Sequence, residues 1–281
     1  MNIKFIERRF TLCIFVLLLV GTSKAYSQDF ATCSEIGFYG GGSYYIGDLN
    51  PNRHFVNSKP AFGLIYRYNA SKRHSIRATA FYGNVSANDA DARSENQINR
   101  NLSFKSTVFE IALGYEIDLF KYRINDMKYP ITPYFFYQLA YTRINPTTEF
   151  NGNDVALQPL GTEGQGTVTN DKNPYSLNQI AVPLGIGLKF NLRKRVAVSM
   201  EYGIRKTFTD YLDDVSGNYG DADVLRGANG PLAAELANRS INETSALNRG
   251  NPGNKDWYVF YGVMLTFKPF EKSVCERMKG R

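Results

Sequence analysis

The stretch Gln179–Phe190 reads Q-I-A-V-P-L-G-I-G-L-K-F and alternates in residue type at every position. Its even positions are large and apolar: Ile180, Val182, Leu184, Ile186, Leu188 and Phe190. Its odd positions are small or polar: Gln179, Ala181, Pro183, Gly185, Gly187 and Lys189. Because successive side chains of a strand point to opposite faces, the segment predicts a β-strand with one apolar and one small, polar face. Pro183 cannot donate to a ladder, so we expect a bulge there.

The same alternation recurs along the chain and predicts eight strands. They cover residues 35–47, 61–69, 74–86, 103–118, 132–144, 178–191, 195–209 and 256–268. Most reach the roughly ten residues that a tilted membrane strand needs. The last strand would place Trp257, Val259, Tyr261, Val263, Leu265 and Phe267 on its lipid-facing side.

The connections alternate between long and short. Four are long and rich in Asn, Asp and Gly: 49–60, 87–102, 145–177 and 211–255. Those at 70–73 and 192–194 are tight turns, and 119–131 is intermediate. Bacterial outer-membrane barrels have short periplasmic turns and longer outer loops. We therefore predict an all-β fold, a transmembrane antiparallel up-and-down β-barrel of eight strands. It would be a small, OmpA-like outer-membrane barrel over residues 34–268, with periplasmic termini and a polar periplasmic tail at 269–281.

The N-terminus predicts export. Lys4, Arg8 and Arg9 precede the apolar run Phe10–Val20, which is too short to span a bilayer comfortably. We expect a cleavable signal peptide over residues 1–25, with cleavage after Ala25 or after residue 27. The formal charge of +7 owes much to this segment. No basic stripe with interleaved stacking aromatics occurs in the sequence, which argues against nucleic acid as a partner.

Six charged residues fall on the inward face of the predicted strands: Arg67, Arg77, Glu110, Lys189, Glu201 and Arg205. A charge at the lipid midplane costs about 2–4 kcal/mol, so an interior position is favoured. An eight-stranded barrel is just wide enough for its side chains to fill it. We therefore predict structural ion pairs in a plugged lumen, with a narrow ion pathway as the alternative.

The sequence offers little chemistry. Its two histidines, His54 and His74, lie in predicted connections at opposite ends and form no Ser/His/Asp group. We expect no enzyme activity and no cofactor. Asp210, Asp213 and Asp214 cluster where the seventh strand ends, and their carboxylates are weak candidates for a Ca²⁺ site. Ordering of the loop through caps and turns is the alternative role.

Several segments resemble the PorG-like outer-membrane barrels of Bacteroidota. The opening E-I-G-F-Y-G-G-G-S-Y-Y-I-G-D-L-N-P (35–51) does so, as do K-P-A-F-G (59–63), N-L-S-F (101–104) and T-P-Y (132–134). The most specific pieces are L-Q-P-L-G-T-E-G-Q-G (157–166) and R-K-T-F-T-D-Y-L-D-D-V-S (205–216). The resemblance covers about residues 34–268. Both specific motifs lie in predicted outer loops, where they would pack the loops or contact a surface partner.

The resemblance implies a role in type IX protein secretion, which also supports gliding motility in some species. Barrels of this family are thought to tie a periplasmic PorK–PorN ring to the outer membrane through the lipoprotein PorK. The implied partners are outer-membrane lipid, a PorK-like lipoprotein and a PorN-like ring protein. The alternatives are a small outer-membrane channel or a barrel that binds hydrophobic ligands.

Attachment of a periplasmic ring would use the inner turns and the two chain ends. The connection 119–131 is unusually apolar and basic, and the candidate docking residues are Phe120, Tyr122, Arg123, Lys128 and Tyr129. An interfacial aromatic belt is the alternative role for them. Cys33 and Cys275 flank the barrel and would emerge close together in an oxidising compartment. They could bridge to each other, or one could pair with a cysteine of the ring lipoprotein, which we favour slightly.

Overall fold

The computed structural model describes residues 33–124, 128–170, 172–193, 195–242 and 248–269. The predicted signal peptide, Cys275 and all but the first residue of the predicted tail lie outside these ranges. Predictions about them therefore remain predictions.

Nine strands and three short α-helices follow one another along the described chain. The strands are β1 (Cys33–Ile46), β2 (Lys59–Asn69), β3 (His74–Asn88), β4 (Ser103–Asp118), β5 (Ile131–Phe150), β6 (Asn153–Ala156), β7 (Asn178–Arg193), β8 (Val196–Thr207) and β9 (Trp257–Phe267). The helices are α1 (Glu95–Arg100), α2 (Ala222–Ala228) and α3 (Pro231–Ala237), and single 3₁₀ turns span Asp89–Asp91 and Gln158–Leu160. None of the helices in the described ranges has the length and apolar character of a membrane-spanning helix.

Eight of the strands close into a barrel. All pairings are antiparallel, in the order β4-β3-β2-β1-β9-β8-β7-β5, and pairing of β4 with β5 completes the ring. Strand β1 pairs with β9 from Ile36↔Phe267 to Ile46↔Trp257, so the first and last strands are neighbours. The short β6 forms a hairpin with the end of β5 beyond the barrel wall. The predicted eight-stranded antiparallel barrel is confirmed.

The two ends of the barrel differ, and we name them by their connections. The long-loop end carries residues 47–58, 89–102, 151–177 and 208–256. The short-turn end carries residues 70–73, 119–130 and 194–195, together with the start of β1 and the end of β9. Long and short connections therefore alternate as predicted. Two of the long connections contain the helices, which sequence alternation alone did not indicate.

Large apolar side chains cover the outside of the barrel. Phe62, Leu64, Ile111, Leu113 and Leu139 are each more than half exposed. On β4 this belt runs from Phe109 to Ile117, which corresponds to a height of about 20 Å for a strand tilted by about 40°. Tyrosines flank the belt near both ends, among them Tyr82 and Tyr141 towards the long loops and Tyr66 and Tyr68 towards the short turns. Such a surface is that of a membrane barrel with interfacial aromatic girdles.

Two local predictions are wrong. Pairing between β5 and β7 lapses at Val182 and Pro183 but resumes in the same register, so no bulge forms there. The register of β7 shifts instead between Asn191 and Arg193, beside the turn to β8. Pro183 therefore removes backbone hydrogen bonds between β5 and β7 without shifting their register.

Val259, predicted to face lipid, is fully buried. It pairs with Tyr44 of β1, which is also buried. The cause is the connection 47–58, which folds back against the outer wall. The ring of Phe55 lies 5.2 Å from that of Tyr44 and 5.0 Å from that of Tyr261, so a loop replaces lipid over this part of the wall.

The core of the protein fills the inside of the barrel. Towards the long loops it is aromatic and aliphatic: Tyr39, Phe81 and Phe260 pack together, with ring centroids 4.4 to 6.4 Å apart. Loop residues such as Leu212 and Leu236 join the same apolar cluster and extend it beyond the strands. Towards the short turns the filling becomes ionic.

Candidate functional site

Buried ion pairs occupy the lumen near the short-turn end. Glu116 of β4 accepts from Arg67 Nε at 3.0 Å and from Arg77 Nη1 at 3.1 Å. Its second carboxylate oxygen lies 2.5 Å from Lys189 Nζ. All four side chains are at most 1% exposed. Buried charges persist only when they are paired and hydrogen-bonded, and one carboxylate here serves three cations.

Neighbouring groups complete the network. Arg77 also donates to both oxygens of Glu201, at 2.8 and 3.2 Å, and Tyr134 donates to Glu201 at 2.9 Å. Lys189 pairs with Asp118 at 2.8 Å. Aromatic faces cover the cations, since the Arg77 guanidinium carbon lies 4.1 Å from the centroid of the Phe136 ring. This region therefore forms a rigid, nearly neutral plug.

A separate ion pair lies inside the barrel, nearer to the long-loop end. Arg205 Nε donates to Glu110 at 3.2 Å, and Tyr258 donates to the same carboxylate at 2.7 Å. The guanidinium carbon of Arg205 lies 4.8 Å from the centroid of the Phe260 ring. The pair thus connects the ionic and aromatic parts of the filling.

All six sequence-predicted lumen charges lie inside the barrel: Arg67, Arg77, Glu110, Lys189, Glu201 and Arg205. The prediction counted four bases against two acids. The buried filling also contains Glu35, Glu116 and Asp118, which brings the count to five acids against four bases. Strand parity carried the missing signal, because Glu116 and Asp118 lie at even spacing from Glu110 on β4, and Glu35 lies four residues before Tyr39 on β1. These buried, paired side chains occupy the lumen near the short-turn end.

The long-loop end is closed by a second polar network, and Arg249 is at its centre. Arg249 donates to the Glu163 carboxylate at 3.3 Å and contacts both the carboxylate and the backbone carbonyl of Asp214. Glu163 also accepts from the amides of Ser216 and Gly217 at 2.8 and 3.0 Å. The two most specific sequence motifs, 157–166 and 205–216, therefore pack against each other.

A second arginine ties further loops to this cap. Arg100, at the end of α1, donates twice to Asp89 at 2.7 Å, and to the backbone carbonyls of Asp48 and Arg249 at 3.1 and 2.7 Å. Residues from all four long connections thus meet in one cap. We use the name cap for this set of packed long loops.

Two buried carboxylates share one hydroxyl inside the cap. Tyr45 OH lies 2.5 Å from Asp213 Oδ2 and 2.8 Å from Asp256 Oδ1. One hydroxyl has one proton to donate, so it satisfies only one of the two acceptors. Burial raises the pKa of both carboxyls well above their usual range, and for Asp256 the nearby Asp213 charge raises it further. A proton retained by one of the two acids resolves the conflict.

The three aspartates considered for cation binding have separate partners. Asp210 accepts from Ser216 Oγ at 2.7 Å, and Asp214 accepts from Thr162 Oγ1 and Tyr175 OH at 2.5 and 2.7 Å. Asp213 is held by Tyr45 and by the amide of Val215. Across the described ranges, no three His, Cys, Asp or Glu side chains are arranged to hold a metal ion.

The residues predicted to dock a partner lie at the short-turn end, but they differ in exposure. Tyr122 is only 3% exposed, so its assignment to a docking surface is wrong. It turns into the barrel mouth, where it packs with Cys33, Ile124 and Ala197, and Lys189 Nζ lies 5.0 Å from its ring centroid. Burial of this aromatic ring in the barrel mouth removes its apolar surface from water, which is favourable in free energy.

Other parts of the same connection are exposed. Phe120 is 57% exposed, and it borders a pocket of about 450 Å³ together with Lys128, Tyr129 and Ile131. Arg123 lies beside this segment, and its backbone carbonyl accepts from Asn191 at 2.9 Å. Two bonds fix the wall of the pocket: the Phe120 amide donates to Thr132 Oγ1, and the Tyr122 amide donates to the Lys72 carbonyl.

Cys33 opens β1 at this end and is 6% exposed. Asn69 Nδ2 donates to its sulfur at 3.3 Å and to the Glu35 carboxylate at 2.7 Å. Cys275 lies outside the described residues, so the predicted disulfide of Cys33 remains a prediction.

Comparison with solved structures returns small outer-membrane barrels. Neisserial surface protein A is 10% identical with a TM-score of 0.41, over 84% of this chain and 97% of that one. Ail, the attachment invasion locus protein of Yersinia pestis, is 11% identical with a TM-score of 0.39, over 85% and 100%. OprG of Pseudomonas aeruginosa is 11% identical with a TM-score of 0.36, over 85% and 98%.

The sequence matches no curated protein. A family model described as "Domain of unknown function (DUF6089)" matches residues 8–277, nearly the entire chain.

Proposed function

The chain belongs to the DUF6089 family, and we propose that this member is a non-enzymatic anchor of type IX protein secretion. In this proposal the barrel sits in the outer membrane of a Gram-negative bacterium and holds a periplasmic PorK–PorN ring there. The ring is held through a PorK-like lipoprotein. The sequence resemblance to PorG-like barrels supplies the secretion role, and the geometry supplies constraints on how the barrel could act.

The observation that carries the proposal is the filled lumen. The Glu116 network, the Arg205–Glu110 pair, the cap at one end and Tyr122 at the other leave the barrel without a route for a protein. Such a barrel can act only through its surface. Its belt suits retention in a bilayer, which is what an anchor requires.

The same features support a membrane placement. The short turns and both barrel termini would face the periplasm, as in bacterial barrels with short inner turns. The exposed part of the connection 119–130 would then be within reach of a periplasmic ring.

His54 and His74 lie in the long loop 47–58 and beside the turn 70–73 respectively, which supports a non-enzymatic role.

Deletion of the gene tests the proposal. We expect cargo carrying a type IX signal to accumulate in the periplasm, and a complementing copy to restore its release. We also expect the PorK-like lipoprotein to copurify with the barrel. Normal cargo release together with no copurifying ring protein would refute the anchor role. An unrelated outer-membrane protein, measured in the same strain, controls for general envelope damage.

An apolar groove supports a second candidate function, the binding of a hydrophobic molecule. The groove has a volume of about 530 Å³ on the outer wall, between Phe55, Tyr261, Met200 and Ile186. Purified barrel in a planar bilayer should show no steady conductance if the lumen is filled. Saturable binding of a hydrophobic probe to the barrel, lost in Met200→Trp, would favour this second function over the anchor.

A further inference from the structure

The two ends of the barrel carry opposite charge. The short-turn segments 70–73, 119–130 and 194–195 contain seven Lys or Arg residues and one acid, Asp126. The long connections 47–58, 89–102, 151–177 and 208–256 contain fifteen Asp or Glu and eight Lys or Arg. One end is thus strongly basic and the other acidic. The fields that such patches produce select partners by charge and steer their approach.

The basic end also has a shaped apolar site. Its pocket of about 450 Å³ has apolar walls from Phe120, Pro130 and Ile131 and basic walls from Arg73, Lys121 and Lys128. Phe120 and Ile131 are 57% and 48% exposed. Among the described acidic residues, none forms an ion pair with Arg73 or Lys121. Exposed aromatic and basic residues around a concavity are the composition of protein interfaces.

The pocket wall is fixed before any partner arrives. The backbone of residues 119–122 is bound on one side to the start of β5, through Leu119 N to the Pro133 carbonyl at 2.9 Å. On the other side it is bound to the turn 70–73, through Tyr122 N to the Lys72 carbonyl at 2.9 Å. Burial of Tyr122 in the barrel mouth holds the segment from below. A preorganised wall lowers the ordering cost of binding.

We propose that this basic pocket at the short-turn end docks an acidic protein segment, which inserts one aliphatic or aromatic side chain against Phe120 and places carboxylates beside Arg73 and Lys121. The inference rests on the proposed function in one respect, because it identifies the chemistry by which a periplasmic partner would be held. Anionic lipid headgroups could also meet basic residues at a membrane interface. A flat lipid surface, however, does not need a fixed pocket, and the segment therefore fits better.

A photo-crosslinking residue at position 120 of the full-length barrel, in intact envelopes, tests the proposal. We expect a protein adduct whose crosslinked peptide, identified by mass spectrometry, is net acidic. The same photo-crosslinker at position 208 is the matched control, since Phe208 is 62% exposed but lies at the long-loop end. An adduct containing only lipid, or a crosslinked peptide that is neutral or basic, would overturn the inference.

Charge reversal supplies the second arm. The double variant Arg73→Glu with Lys121→Glu should lower the yield of the protein adduct on the order of ten-fold, because it repels the carboxylates. The matched control is Lys59→Glu with Arg93→Glu, two exposed cations at the long-loop end, which changes the net charge equally and should leave the yield unchanged. Unaltered heat-modifiable mobility shows that both variants fold. An unchanged adduct yield in the first variant would overturn the inference.

The secretion assay separates this inference from the proposed function. Blocked secretion in the deletion strain, with normal secretion and an unchanged adduct in the Arg73→Glu, Lys121→Glu variant, would leave the anchor role standing and overturn the acidic pocket partner. An acidic adduct that is lost on charge reversal, with normal secretion in the deletion strain, would support the pocket and refute the secretion role.

Discussion

Arg249 and Glu163 are 86 residues apart in the chain, yet their side chains meet at 3.3 Å in the cap, where both are at most 3% exposed. Each belongs to a different long connection. Their contact shows that the long loops at this end are not independent, because one guanidinium joins Glu163, Asp214 and the end of α3 through the Ala237 carbonyl.

Arg249→Met should loosen the cap without unfolding the barrel. The change leaves the Glu163 and Asp214 carboxylates buried without their cation, at a cost of about 3–5 kcal/mol. Hydrogen exchange at the amides of Ser216 and Gly217 should quicken by about 100-fold or more, since each 1.4 kcal/mol is ten-fold. Arg226→Met is the control, because Arg226 is exposed and pairs with an exposed Asp223. Equal exchange in the two variants would contradict a central role for Arg249.

Cap stability should fall as pH rises. The pKa values of Asp213 and Asp256 are raised in the folded cap, so the folded state binds more protons than the unfolded state above the ordinary Asp pKa. The two carboxyls therefore stabilise the cap fully below the ordinary Asp pKa. This contribution is lost as the pH rises through the raised pKa values of the folded state. Protease cleavage of the long loops, measured from pH 5 to pH 9, should increase with pH.

Asp256→Asn should remove most of that pH dependence. The amide oxygen can accept from the Leu212 amide, as the carboxylate does at 2.9 Å, and the amide nitrogen can donate to Tyr45 OH while Tyr45 donates to Asp213. The variant should resist cleavage at pH 9 better than the natural chain. Asp154→Asn serves as control, since Asp154 is exposed and pairs with exposed Lys105. Cleavage that rises equally with pH in all three proteins would rule out the shared proton.

Tyr122→Ala should open the barrel mouth at the short-turn end. The ring covers Cys33 and Ile124, so its removal costs about 3 kcal/mol and exposes the thiol. In a Cys275→Ser background under reducing conditions, maleimide should label Cys33 slowly in the parent and much faster in Tyr122→Ala. Phe120→Ala, in the same connection but exposed, should leave labelling slow. Rapid labelling of the parent would show that the mouth is already open.

Leu113→Arg should destabilise the barrel in lipid. Leu113 is 62% exposed in the middle of the apolar belt, where a charge costs about 2–4 kcal/mol. The urea midpoint of unfolding from lipid vesicles should fall accordingly. Val168→Arg is the control, since Val168 is 95% exposed but lies in a long loop. Both side chains are exposed and neither is in a packed core, so a bilayer around the belt is what makes the two variants differ.

Alternation along single strands was enough to predict the barrel, because a period of two is a local property that each strand shows by itself. Val263, Leu265 and Arg67 lie on the faces that parity assigns to them. Val259 departs from its assignment because a loop covers it, and loop placement has no periodic signal. The bulge expected at Pro183 failed for a related reason, since neighbouring strands kept the register fixed.

The sequence predicted less of the candidate sites than of the fold. Parity identified the lumen charges as inward, but the partners of Glu116 lie on β2, β3 and β7, and only barrel closure brings those strands around it. Tyr122 and Phe120 are two residues apart with similar side chains, and the sequence placed both on one surface. The mouth of the barrel separates them, because it accepts one ring and leaves the other in contact with solvent.

The sequence by itself determined the strand faces, the loop lengths and hence the closed, antiparallel barrel, since these depend on contacts between each residue and its immediate surroundings. Tertiary structure alone decided which of the lumen charges pair with each other, that the four long connections form one cap around Arg100 and Arg249, and that the basic short-turn end carries a pocket. Those features depend on side chains from distant segments meeting in space, and their pairing energies exist only once the barrel has closed.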